Sequence, residues 1–102
     1  MKLWLDDRRQ PPPDWVWVTT PEETIALLET GEVEELSLDH DLGLWNKDGQ
    51  ELTGYDVLLW IEHQVVLHGF QPPALAVHSA NSPARARMER AIRAIGTRRA
   101  ER

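Results

Sequence analysis

The chain contains no cysteine, which excludes disulfides, thiolate zinc sites, iron–sulfur clusters and cysteine nucleophiles. Any metal it binds is therefore a hard one, held by Asp, Glu or His. No stretch approaches the roughly 18 apolar residues that span a bilayer, and the amino terminus has neither the apolar run nor the small-residue cleavage site of a secretory signal. The expectation from these absences is a cytoplasmic chain that does not bind membranes. It also lacks a GxSxG turn, internal repeats, linkers and low-complexity segments, so a serine-hydrolase elbow and a repeat array are both excluded. Basic residues are scarce early in the chain: residues 1–62 hold 15 Asp/Glu against 4 Lys/Arg (net −11), and residues 63–102 hold 2 against 7 (net +5). The total of −6 argues against a surface coated for nonspecific duplex binding. An acidic centre facing a basic helix could bind a cation and a phosphate together, or the two could complement each other within the fold.

What is present suits one domain. A chain of 102 residues with 41% hydrophobic and 27% charged residues has the composition of a folded protein and the length for a single core. Short apolar runs alternate with helical periodicity, the pattern of an α/β fold with a parallel sheet. Leu3–Leu5 reads as a strand stopping at Asp6-Asp7, and Trp15–Val18 as a second strand beyond the stiff Pro11–Pro13 connection, which replaces a helix. Thr20, Pro21 and Glu23 occupy N-cap, first-turn and capping-box positions of a helix running to about Thr30 and closed by Gly31. Leu36–Leu38 forms a third strand, followed by a long loop with Gly43, Asn46, Asp48 and Gly49 that reads as a lid. Val57, Leu58, Ile61 and Val65 share one face of a helix from Gly54 to about His68, with Gly69 as its stop. Ala74–Val77 is the fourth strand. Ser82 and Pro83 open a last helix expected to end at Gly96, giving a domain over residues 1–96 and a frayed basic tail over 97–102.

The polar clusters fall at strand ends. In open α/β sheets the ligand crevice lies beyond the carboxyl ends of the strands, where loops and helix amino termini converge. Asp6-Asp7, Asp39-His40-Asp41 and His78-Ser79-Ala80-Asn81 each follow an apolar run, so a parallel sheet would gather them on one rim. Asp6, Asp7 and Asp39 are the candidate ligands for a hard ion such as Mg²⁺. Taken singly, each aspartate equally suits a solvated turn cap. His40 and His78 sit beside these carboxylates, where an imidazole could move a proton, ligate a metal or serve as a hydrogen-bonded structural residue. Ser79 could hydrogen-bond a phosphoryl oxygen. Arg85 and Arg87 lie in the first turns of the last helix, where they oppose the macrodipole unless an anion is present or they pair with Asp41 or Glu89. Arg8 and Arg9 could clamp a second phosphate oxygen or stay solvated, and His63 and His68 read as surface residues. Five tryptophans suggest core packing; Trp45, in the expected lid, could stack on a base or make a surface contact.

Together Leu-Asp-Asp-Arg near the start, Ser-Leu-Asp-His-Asp-Leu-Gly at 37–43, Thr-Gly-Tyr-Asp at 53–56 and Val-His-Ser-Ala-Asn at 77–81 resemble the cyclic-phosphate processing receiver-like domain family. The resemblance implies a single truncated receiver-like (flavodoxin-like) domain, a parallel sheet of about four strands flanked by helices. Asp6-Asp7, Asp39 and Ser79 match the acidic pair, the phosphorylatable aspartate and the hydroxyl residue of a receiver. The chain departs from a receiver in lacking a lysine after a fifth strand, a final strand–helix pair and the first helix, which counts against phosphorelay signalling. His40, Asp41, His78 and Asn81 resemble the variant family. The implied activity is metal-assisted processing of a phosphoester, a cyclic phosphate on a nucleotide or RNA end, with Asp6, Asp7 and Asp39 holding Mg²⁺ or Mn²⁺. His40, His78 and Asp41 would carry the chemistry, and Ser79, Asn81, Arg85 and Arg8 the phosphate. The alternative is a non-catalytic module that binds phosphate or a protein partner in the same pocket.

Overall fold

Strand β1 (Lys2–Leu5) buries Leu3 and Leu5 on one face and half-buries Trp4 on the other, in a computed structural model that describes residues 1–101. It pairs in parallel with β2 (Val16–Val18) on one side and β3 (Glu35–Leu38) on the other, and β3 pairs in parallel with β6 (Ala74–Val77). The resulting four-stranded sheet has the order β2-β1-β3-β6, so the fold is the expected small α/β domain. Parallel neighbours require crossovers. Two of these contain a helix, α1 (Pro21–Leu28) between β2 and β3 and α2 (Gly54–His68) between β3 and β6, and a third helix, α3 (Ser82–Ala100), follows β6 and packs beside it. The β1–β2 link instead runs through the proline segment without a helix.

One continuous core joins Leu3, Leu5, Leu36 and Leu38 of the sheet to Leu28 of α1, to Val57, Leu58, Ile61 and Val65 of α2, and to Met88 and Ile95 of α3. All three helices therefore cover the leucine face. The opposite face is closed by indoles: Trp4 packs edge-on against Trp15 with ring centroids 6.1 Å apart, Trp4 Nε1 donates to the Arg9 carbonyl and Trp17 Nε1 to the Asp6 carbonyl. The tryptophan richness thus has a local cause. These side chains pin the Asp6–Arg9 segment to the sheet.

Helix caps follow the sequence closely. Thr20 caps α1 by accepting from the Glu23 amide, Thr53 and Asp56 form a capping box at α2, and Gly69 ends α2 with φ 66°. Two sequence expectations need correction. The segment after Asp41 is a β-hairpin and not a lid loop: β4 (Asp41–Trp45) pairs antiparallel with β5 (Glu51–Thr53). Leu42, Leu44 and Leu52 give it an apolar face, while Asn46 accepts from the Asp48 and Gln50 amides and fixes the turn. The last helix also passes through Gly96 to Ala100. Ile95 is buried, Thr97 Oγ1 donates to the Arg93 carbonyl and Arg98 pairs with Glu101, and a lone helix glycine costs only about 1 kcal/mol. Arg102, at the end of the expected tail, lies outside the described residues.

Candidate functional site

The carboxyl ends of β1, β3 and β6 are neighbours in the sheet, and the ladder continues one residue beyond each strand. Asp39 N–H donates to the Leu5 carbonyl, His78 N–H to the Leu38 carbonyl and Asp6 N–H to the Val18 carbonyl. Residues dozens of positions apart in sequence are thereby set side by side. Asp6, Asp7 and Asp39 each bring one carboxylate oxygen within 4.8 Å of the others. Glycine at 54 is required by the same packing: a Cβ there would overlap the Asp39 carbonyl oxygen and crowd the Met88 side chain, and Gly54 N–H donates to the His40 carbonyl. The start of α2 thus seats the segment that carries Asp39.

Asp6 is almost completely buried. Its Oδ1 accepts from the Arg8 and Arg9 amides at 2.8 and 3.0 Å, and its Oδ2 accepts from His78 Nε2 at 3.0 Å. Burial would push the carboxyl up, but these hydrogen bonds, with the nearby His78 charge, hold it below the usual carboxylate range. Asp39 behaves oppositely. Burial and the Asp6 carboxylate, reinforced by Asp7 and Asp41, push it up against the single amide bond from His40. Donors made only of carboxylate oxygen, crowded at an open mouth and including one group whose ionisation is resisted, suit a hard divalent cation. Asp7 and Asp39 are the more open of the three, whereas Asp6 is fixed in orientation by its own hydrogen bonds.

His78 has both nitrogens engaged. Asp6 accepts from Nε2–H, so Nδ1 is the acceptor for the Ser37 hydroxyl at 2.7 Å, and the ring stacks on Trp4 with centroids 3.7 Å apart. Burial pushes its pKa below the ordinary value of 6.5, outweighing the Asp6 carboxylate. His40 is buried and similarly engaged: Nδ1–H donates to Asp41 Oδ1 at 2.7 Å and Nε2 accepts from Arg87 Nη2 at 3.3 Å. The Arg87 guanidinium also lies over the Tyr55 ring. Asp41, in contrast, is exposed at the rim of the hollow.

The remaining expected residues divide between the hollow and its surroundings. Arg8 and Arg9 line an open hollow of about 510 Å³ together with the three aspartates, Asp41, Gly43, Trp45, Glu51 and Ala80. Arg9 Nη1 donates to the His78 carbonyl, and Arg8 Nε lies 3.6 Å from Asp7 Oδ2. Ser79 is buried, and its hydroxyl accepts from the Asn81 amide. Asn81 is the N-cap of α3, accepting from the Ala84 amide, with its Nδ2 3.4 Å from Asp41 Oδ2. Arg85 is not brought to the hollow. It pairs with Glu89 and lines a separate groove beside Leu75 and Ile92 on the β6 side. The residue of that pair near the site is Arg87, on the opposite flank of the buried Ala84–Met88–Ile95 stripe. Helical periodicity carried that signal, since positions 85 and 87 sit on either side of the stripe. Ser37 and Trp4, the supports of His78, become visible only once the strand register is known.

Residues 1–94 match the family model described as the cyclic-phosphate processing receiver domain. No curated protein and no solved structure matches the chain.

Proposed function

The chain belongs to the cyclic-phosphate processing receiver domain family, and on that premise we propose that its acidic hollow opens a cyclic phosphoester with the help of a divalent metal ion. The observation that carries this reading is the meeting of Asp6, Asp7 and Asp39 oxygens within 4.8 Å beside two arginines in one open hollow. Asp7 and Asp39 would hold Mg²⁺ or Mn²⁺ with Asp6 completing the set, and the ion would offset charge on the phosphoryl oxygens. Arg8 and Arg9 bring donors to the anionic phosphate at the other side of the mouth. Asp41, exposed at the rim of the hollow, would take a proton from the attacking water. His40 acts as a positioning residue, because its Nδ1–H fixes the Asp41 carboxylate while Arg87 fixes His40. Water adds to phosphorus, one ring P–O bond breaks, and the proton held at Asp41 passes to the released alkoxide, giving a phosphomonoester and a free hydroxyl.

A non-catalytic phosphate-binding module is favoured by one observation: both nitrogens of each imidazole are engaged in hydrogen bonds within the fold. Phosphorus NMR of simple five-membered cyclic phosphates incubated with the protein and Mg²⁺ or Mn²⁺ separates the two. The enzyme reading expects metal-dependent monoester formation, lost in Asp39→Asn and in Asp41→Asn. Binding of metal and cyclic phosphate without product would replace the enzyme with the module, and failure to bind any divalent ion would overturn both metal assignments.

A further inference from the structure

The hairpin that replaces the expected lid places a second kind of chemistry on the same hollow. Its Leu44–Leu52 pair is half-buried, and the next cross-strand pair is Trp45 with Glu51. Cross-strand partners share one face with their Cβ atoms roughly 5 Å apart, so the indole and the carboxylate stand side by side, and both line the hollow that holds Asp39 and Arg8. Trp45 is 61% exposed, more than any other large hydrophobic among the described residues. Trp4 and Trp17 use their indole N–H groups on backbone carbonyls, and Trp4, Trp15 and Trp60 have aromatic neighbours; Trp45 has neither among the described residues. The turn beneath it is held by the Asn46–Gln50 hydrogen bonds, so this ring is presented on a fixed ribbon.

We propose that Trp45 and Glu51 form a base-reading shelf that selects a guanine nucleotide as the cyclic phosphate substrate; this rests on the phosphoester reading above. A base stacked on the indole turns its Watson–Crick edge toward the carboxylate. Glu51 offers two acceptors and no donor. Guanine presents adjacent N1–H and N2–H donors and satisfies both oxygens. Adenine and cytosine set an acceptor beside their donor, and uracil flanks its single donor with carbonyls, so each meets repulsion. With a net charge of −6, the chain disfavours the long backbone of a nucleic acid, which makes a mononucleotide the fitting ligand.

The test compares guanosine 2′,3′-cyclic phosphate, its adenosine counterpart and glycerol 1,2-cyclic phosphate, which has the same ring and no base, by calorimetric titration in Mg²⁺. The wild-type protein is expected to bind the guanosine compound roughly tenfold or more tighter than the glycerol compound, the range of base–aromatic stacking, and to prefer it over adenosine. Trp45→Ala should reduce the advantage over glycerol to about one, while Trp45→Phe, which keeps a stacking ring, retains most of it. Glu51→Gln should erase the preference for guanosine over adenosine. Equal binding of the guanosine and glycerol compounds by the wild type, or preferences that survive both substitutions, would overturn the shelf and leave the phosphoester reading standing. If no cyclic phosphate binds, that reading fails and the shelf with it. Tighter binding of a guanosine-ended trinucleotide than of the mononucleotide would overturn the mononucleotide assignment.

Discussion

Asp39→Asn should make the metal-free protein more stable, although it removes a residue from the centre of the site. Asp39 has carboxylate neighbours within 4.8 Å on both Asp6 and Asp7, and two unit charges at that separation repel by about 3 kcal/mol at an effective dielectric near 20. Arg8, Arg9 and water at the open mouth offset much of this, leaving a net relief of about 1–2 kcal/mol on neutralisation. Asparagine retains the Oδ1 that accepts from the His40 amide, so the substitution removes charge without removing that hydrogen bond. For a domain of this size the gain corresponds to a Tm higher by roughly 5–10 °C in EDTA. Saturating Mg²⁺ should reverse the comparison, because a ligand at about 100 times its Kd stabilises the native state by about 2.7 kcal/mol and the variant has lost a donor. Thermal unfolding followed by circular dichroism, with EDTA and with Mg²⁺, reads both effects. A variant less stable than the wild type in EDTA would refute the repulsion, and one that responds to Mg²⁺ as the wild type does would refute Asp39 as a ligand.

Gly54→Ala should destabilise the fold by about 3 kcal/mol by driving a methyl into the Asp39 carbonyl, and chemical denaturation would show it as a lower midpoint at unchanged slope. Asn81→Ala should cost about 1 kcal/mol through loss of the α3 cap, measured in the same way. His78 has a folded pKa below 6.5, so its unfolded form binds the proton more tightly; its contribution to stability is complete above 6.5 and falls as the pH drops below that value. Asp6, held below 3.8, loses its contribution only at lower pH, whereas Asp39, raised above 3.8, acts with the opposite sign, its ionisation costing stability as the pH rises through its folded value. A Tm profile between about pH 5 and 8 in EDTA should therefore slope downward toward acid in the wild type and flatten in His78→Gln. Arg85→Ala should change stability and phosphate binding by less than about 0.5 kcal/mol, since its partner is the exposed Glu89; a larger loss of phosphate affinity would return Arg85 to the site.

The parts of this molecule that could be read from sequence are those written in local chemistry. Thr53, Asp56 and Gly69 announce the ends of α2 because caps depend on a few adjacent backbone groups, and the apolar runs ending in Asp6, Asp39 and His78 announce parallel strands whose ends must converge. The hairpin after Asp41 escaped because its apolar positions, Leu42, Leu44 and Leu52, are few and are interrupted by a turn, so neither strand is long enough for alternation to stand out. The choice among the roles open to the histidines is illegible in sequence for a different reason. A strand-end imidazole looks the same in sequence whether its nitrogens are free or committed, and that depends on the register that sets Ser37 and Trp4 on the same face as His78. Once the register is known, the division of labour changes. Both imidazoles hydrogen-bond to carboxylates, His78 to Asp6 and His40 to Asp41, and the open oxygens of the site belong to carboxylates. The site concentrates negative charge around Asp39, whose ionisation burial and its carboxylate neighbours resist, so Asp39→Asn is the substitution whose effects on folding and on metal binding are expected to have opposite signs.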